Sequence, residues 1–226
     1  MLQIENEYYS LVRPKQVPLA GETPSQALAN RGVGYVELRA VDVNPYSDIG
    51  IDEDTAGFLE VLALYCLMQD SPELYDQELE DIEKNQAEVV NRGRAPNAVI
   101  LEHKKQVPIL KWMGQHLDHM QSLARVLNQT YASRIYTQAL ETMKQRIHKV
   151  DETLSAKVIQ DTLSHKGTWS FGSEMANQHA QSYEAHVLKP DTIEYFEGLA
   201  QSSLQKQQQL EQECTQSFDE YLTAFR

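Results

Sequence analysis

Gly34-Tyr35-Val36-Glu37-Leu38-Arg39-Ala40-Val41-Asp42-Val43, closed by Asn44-Pro45, is the stretch on which the reading of this chain turns. Its β-branched and aromatic residues, bounded by Gly and by Asn-Pro, predict a strand. Side chains alternate along a strand, so Tyr35, Glu37, Arg39 and Val41 share a face. The Glu37 carboxylate and the Arg39 guanidinium then stand about 7 Å apart at their backbones. A carboxylate oxygen is a hard ligand suited to Mg²⁺, and a planar guanidinium suits phosphate oxygens. Such a pair can hold the two ends of a metal-bound phosphoryl group, or it can be an ordinary ion pair on a half-exposed strand. Spacing alone leaves both readings open.

Upstream, Leu2-Gln3-Ile4-Glu5-Asn6-Glu7-Tyr8-Tyr9 also alternates. It reads as a strand with Tyr9 on the polar face beside Glu5 and Glu7, and it has no lead-in, as if the chain began in mid-domain. Pro14, Pro18, Gly21 and Pro24, with Gly32 just beyond, predict a long loop over 13–31 with a helical turn over 25–29. Downstream, Asp52-Glu53-Asp54 suits a helix start, and the apolar run from Phe58 to Met68 predicts a buried helix. Further helices are expected over 72–91, 108–128, 132–150, 153–164, 174–187 and 191–225, with a short extended piece over 97–102. The last helix has apolar positions Ile193, Phe196, Leu199, Leu204, Leu210, Phe218 and Leu222 at roughly helical spacing, which predicts a packed surface helix. Together these readings give an α+β fold: strands and loop over 1–50, then a mainly helical region over 51–226.

Charge and composition narrow the function. The 226 residues carry 33 acids against 20 bases, a net charge of −13, without a basic run that could track a phosphate backbone. Nucleic acid is not an expected partner. No apolar stretch approaches the roughly 18–20 residues of a membrane span, and the N-terminus lacks a secretory pattern, so no membrane partner is expected. Cys66 lies in an apolar run and is expected in the core, whereas Cys214 lies in a polar one; a reduced, cytoplasmic protein fits this usage. His116 and His119, three apart, have metal-ligand spacing but no third ligand, and predict a surface helix. Gly167-Thr168-Trp169-Ser170-Phe171-Gly172 lacks the full phosphate-loop spacing and predicts a turn before a helix.

The blocks Leu2 to Tyr9, Arg13-Pro14-Lys15, Gly21-Glu22-Thr23-Pro24-Ser25, Gly34 to Arg39 and Asp42-Val43-Asn44-Pro45-Tyr46, in this order and spacing, resemble the C-terminal part of gammaproteobacterial glutamate–cysteine ligases. The resemblance implies the C-terminal part of a glutamine-synthetase-like fold, with a few antiparallel strands at its N-terminal end and helices after them. It implies a reaction, too: ATP-dependent joining of the glutamate γ-carboxylate to the cysteine amine through a γ-glutamyl phosphate, the first step of glutathione biosynthesis. By this resemblance Glu37 is a Mg²⁺ ligand, Arg39 a catalytic contact to the transferred phosphate, and Tyr9 a residue that holds cysteine. Arg13 and Lys15, without a role carried over, are candidates for nucleotide phosphates. Expected partners are L-glutamate, L-cysteine, ATP and a separately encoded N-terminal part, because full-length relatives place most metal-binding carboxylates in such a part. Relatives suggest a monomer, and little ligase activity is expected of this chain alone. The alternative is a non-catalytic helical binding module or a truncated relic of the ligase fold.

Overall fold

The computed structural model describes residues 9–19 and 21–225. The strand expected over 2–9 lies outside them except for Tyr9. The chain runs β1 (Val12–Lys15), α1 (Pro24–Arg31), β2 (Tyr35–Leu38), α2 (Glu53–Leu67), α3 (Asp76–Arg92), β3 (Val99–Glu102) and β4 (Lys105–Pro108). It continues with α4 (Ile109–Thr130), α5 (Ile135–His148), a 3-10 turn (Val150–Glu152), α6 (Leu154–Ser164), α7 (Thr168–Ala185), α8 (Pro190–Glu213) and α9 (Phe218–Phe225). The α+β reading holds: short antiparallel strands lead into a mostly helical chain. It divides into two compact units, one of residues 1–42 with 181–226 and one of residues 43–180.

In the first unit, β1 and β2 form an antiparallel pair that sets Arg13 opposite Glu37 and Lys15 opposite Tyr35. This corrects the loop expected over 13–31. Pro14 has no N–H to give a ladder, but among the described residues β1 pairs only with β2, and at such an edge that loss is tolerated. The strand expected over 34–43 is also shorter, because β1 offers only four partners. One further bond, from the Arg39 N–H to the Leu11 carbonyl at 2.8 Å, extends the pairing beyond Leu38.

Helix α1 is longer than the expected turn. Thr23 caps it, accepting from the Gln26 N–H while the Gln26 side chain accepts from the Thr23 N–H, and Pro24 occupies the first turn. Glu22 fastens this helix to the loop: it accepts from Arg31 at 2.6 Å, from the Leu19 N–H at 2.9 Å and from Asn30 at 3.0 Å. The Arg31 hydrogen bond first, then that of Leu19, lowers the Glu22 carboxyl from 4.5 to about 2. A carboxyl held below its unfolded value stabilises above that value and loses the effect as the pH falls through the folded one. Loosening of α1 against its loop is therefore expected between about pH 4.5 and 2. It should be seen as a shift of the Leu19 amide resonance, and Glu22→Gln should remove the step.

The second unit is built around a three-helix core. Val61 of α2, Leu117, Met120, Ala124 and Leu127 of α4, and Tyr136, Leu140 and Ile147 of α5 are buried together. Asp52 caps α2 by accepting from the Thr55 N–H at 2.7 Å, as the acidic start predicts. The apolar run of α2 was expected to be buried throughout. It buries only the stripe through Gly57 and Val61, and Cys66 is exposed. At 100° per residue Cys66 points about 140° away from Val61, off the buried stripe. Its apolar neighbours in sequence do not surround it in space.

Strand β3 falls within the expected extended piece; its hairpin partner β4 went unread. The turn His103-Lys104 places two non-glycine residues at φ 48° and 65°, where Asn-Gly is the usual signal. Replacing His103-Lys104 by Asn-Gly should relieve that conformational cost and stabilise the chain by about 1 kcal/mol, read from the urea midpoint. At the C-terminus the single expected helix is two, because Ser217 and Glu220 form a capping box that starts α9. Along the expected last helix Ile193, Phe196, Leu199, Leu204, Leu210 and Phe218 are exposed and Leu222 is half-buried, so the expected packing of α8 does not occur among the described residues.

Candidate active site

Antiparallel register carries Arg13 and Lys15 onto the same face as Tyr35, Glu37 and Arg39. The opposite face holds Val12, Pro14, Val36 and Leu38, all exposed. Sequence alternation thus separates a charged face from an apolar one.

On the charged face Arg39 Nη2 donates to Glu37 Oε2 at 3.0 Å, and Lys15 Nζ lies 3.4 Å from the same oxygen. The structure therefore brings together the two residues singled out from β2 and adds Lys15 from β1. Alternation within one strand could not place Lys15 there, since its approach depends on the pairing of two strands. Arg13 stands directly opposite Glu37 in the register. The guanidinium of Arg39 lies over the Tyr9 ring, 5.4 Å from its centroid, in a cation–π contact. Tyr9 itself is 70% exposed.

Hydrogen bonding from Arg39, reinforced by Lys15, holds the Glu37 carboxyl below its ordinary value and keeps it ionised. Both cation contacts fall on one carboxylate oxygen, and all three side chains keep access to solvent. Exposed ion pairs of this kind are weakly held and open readily to a competing charge. Chemically, the face offers two cations on one carboxylate, with Arg13 a third on the same face, an arrangement able to receive a polyanion. Among the described residues no group of three or more His, Cys, Asp or Glu side chains gathers to hold a metal. Glu37 is one oxygen donor, and the described residues do not by themselves form a Mg²⁺ site.

Two other sequence candidates lie in the second unit. Tyr65 Oη sits 3.2 Å from His116 Nδ1 and 3.5 Å from His119 Nδ1. Burial lowers the His116 pKa, and Trp112 packs edge-on against its ring. His119 is exposed as expected of a surface helix, while His116 is half-buried in this aromatic cluster. The glycine-spaced segment is a helix start: Gly167 takes φ +151° and α7 begins at the next residue.

The family model described as glutamate–cysteine ligase matches residues 1–89. The chain is 37% identical to the glutamate–cysteine ligase of Azotobacter vinelandii, over 100% of this chain and 43% of that relative. It is 36% identical to that of Saccharophagus degradans, with the same coverage. The solved structure of glutamate–cysteine ligase from Francisella tularensis in complex with AMP superposes with a TM-score of 0.88 at 30% identity, covering 99% of this chain and 44% of that one. A bifunctional glutathione synthetase from Pasteurella multocida, 22% identical with a TM-score of 0.53, shares the fold. The chain spans less than half the length of the ligases it matches.

Proposed function

Because this chain is related over its whole length to the C-terminal part of glutamate–cysteine ligases, we propose that it contributes the phosphate-facing strands of such a site. The reaction is ATP-dependent formation of γ-glutamylcysteine through a γ-glutamyl phosphate, the opening step of glutathione synthesis. The observation that carries this reading is the charged face of β1 and β2, where Lys15 and Arg39 converge on Glu37 above Tyr9.

Attack of a carboxylate on the terminal phosphate of ATP brings two anions together, so cations must offset their charge. Arg39 directs its fork at the transferred phosphate and stabilises the charge that builds as the acyl phosphate forms. Lys15 and Arg13 add charge on the nucleotide side. Tyr9 orients Arg39 with its ring and holds cysteine with its hydroxyl. Glu37 would supply one oxygen ligand to a Mg²⁺ whose remaining ligands would come from outside the described residues, and the bound ion would neutralise phosphate charge. The setting is the cytoplasm, where ATP and reduced cysteine are available.

The test follows ADP release in the presence of ATP, Mg²⁺, L-glutamate and L-cysteine. The 226-residue chain alone should give background rates, since among the described residues only Glu37 is offered to the metal. The chain combined with the part of the Azotobacter vinelandii ligase that precedes the matching region should release ADP only when both amino acids are present. Failure of every such assembly, with both parts folded and associated, would sink the ligase reading in favour of a non-catalytic helical module.

A further inference from the structure

Within the unit of residues 43–180 lies a cavity of about 370 Å³, bounded by the turn at Asn44 and Tyr46, by Asp52, by Arg146 of α5, and by Lys157 and Asp161 of α6. This volume falls within the range of small-molecule sites. Its most telling member is Arg146. The side chain is 25% exposed, yet among the described residues the contacts of its guanidinium are a 3.8 Å ion pair with Asp52 and a 3.6 Å approach to the sulfur of Met143. Neither satisfies a fork of five N–H donors, which is built for a bidentate carboxylate. Lys157 and Leu154, the first residue of α6, line the same wall, so the positive end of an eleven-residue helix adds to the cations.

Carboxylates face these cations. Asp161 accepts from the Tyr46 hydroxyl at 2.5 Å, and Glu152, paired with Lys149 at 3.0 Å, also lines the cavity. Burial first, and Asp161 second, push the Tyr46 phenol up to about 12, so it stays a donor to Asp161. Against the cost of burial, hydrogen bonds from Thr55, the charge of Arg146 and the Asn44 amide keep Asp52 ionised. A bare anion would meet Asp52, Glu152 and Asp161; a bare cation would meet Arg146 and Lys157. A molecule carrying both charges meets a partner at each end.

We propose that this cavity binds a small zwitterion of the α-amino-acid class, with its carboxylate on Arg146 and Lys157 and its ammonium on Asp161 and Glu152. None of the residues lining this cavity belongs to β1 or β2, and the proposal does not depend on the ligase reading.

The twenty standard L-amino acids, each at millimolar concentration, are titrated into the whole chain carrying Arg39→Ala, with binding followed by saturation-transfer NMR and calorimetry. At least one amino acid should bind saturably in this background. Its methyl ester should lose binding, and inorganic phosphate should not displace it. Arg146→Lys, which keeps the charge but not the fork, should weaken binding about tenfold. Lys157→Met, on the exposed surface of α6, should also weaken it without disturbing the fold. The proposal is overturned if no amino acid binds saturably, if phosphate competes, or if both variants bind as tightly as the parent.

Discussion

Arg39→Ala, in the chain assembled with the preceding part of a ligase, is expected to lower the rate of ADP release by about 10²–10³-fold, the loss typical of removing one charge-stabilising donor. The fall should lie in kcat more than in KM for glutamate if, as proposed, the fork meets charge that develops only as the phosphoryl group transfers. Arg39→Lys should recover part of the rate but not all, since an ammonium keeps the charge without the planar pair of donors. Tyr9→Phe should leave the ring beneath Arg39 and raise KM for cysteine, whereas Tyr9→Leu should lower kcat as well, because the guanidinium loses its platform. Rates unchanged by Arg39→Ala would refute its role, and the Glu37–Arg39 pair would then be the ordinary ion pair that its spacing also allowed.

The second large effect is on stability. Leu140 is fully buried where α5 meets α2 and α4, in one cluster with Val61, Met120 and Ala124. Leu140→Ala should cost about 2–5 kcal/mol, through lost burial and through the cavity left among helices that cannot fully close on it. A urea titration should show a lower midpoint at unchanged slope. Leu163→Ala, at a leucine 73% exposed, should shift the midpoint by no more than about 0.5 kcal/mol in equivalent terms. Equal effects at the two positions would contradict the placement of the core.

Much of this architecture was legible along the chain. The alternation around Glu37 and Arg39 placed them on one face of a strand, and apolar periodicity located α2 to α8 to within a turn or so at most ends. Where the reading failed, a local signal was misleading or overlooked. Pro14 argued for loop, yet an edge strand accepts it. Cys66 looked buried from its neighbours in sequence, yet a helix turns it away from the stripe that packs. The hairpin turn at His103-Lys104 lacked the usual residues, and the Ser217 to Glu220 box was present but unread.

The sequence by itself determined the residue types and the faces they share: a carboxylate and a guanidinium side by side on β2, an apolar face behind them, and helices with single buried stripes. Only the tertiary structure decided which distant groups meet. Lys15 reaches Glu37 through the register of two strands, Tyr65 reaches two histidines more than fifty residues away, and Tyr46 reaches Asp161 across 115 residues. Periodicity is written in neighbouring residues because the backbone repeats over a few positions. Long-range pairing is not so written, because it follows from how whole elements bury their apolar faces against one another.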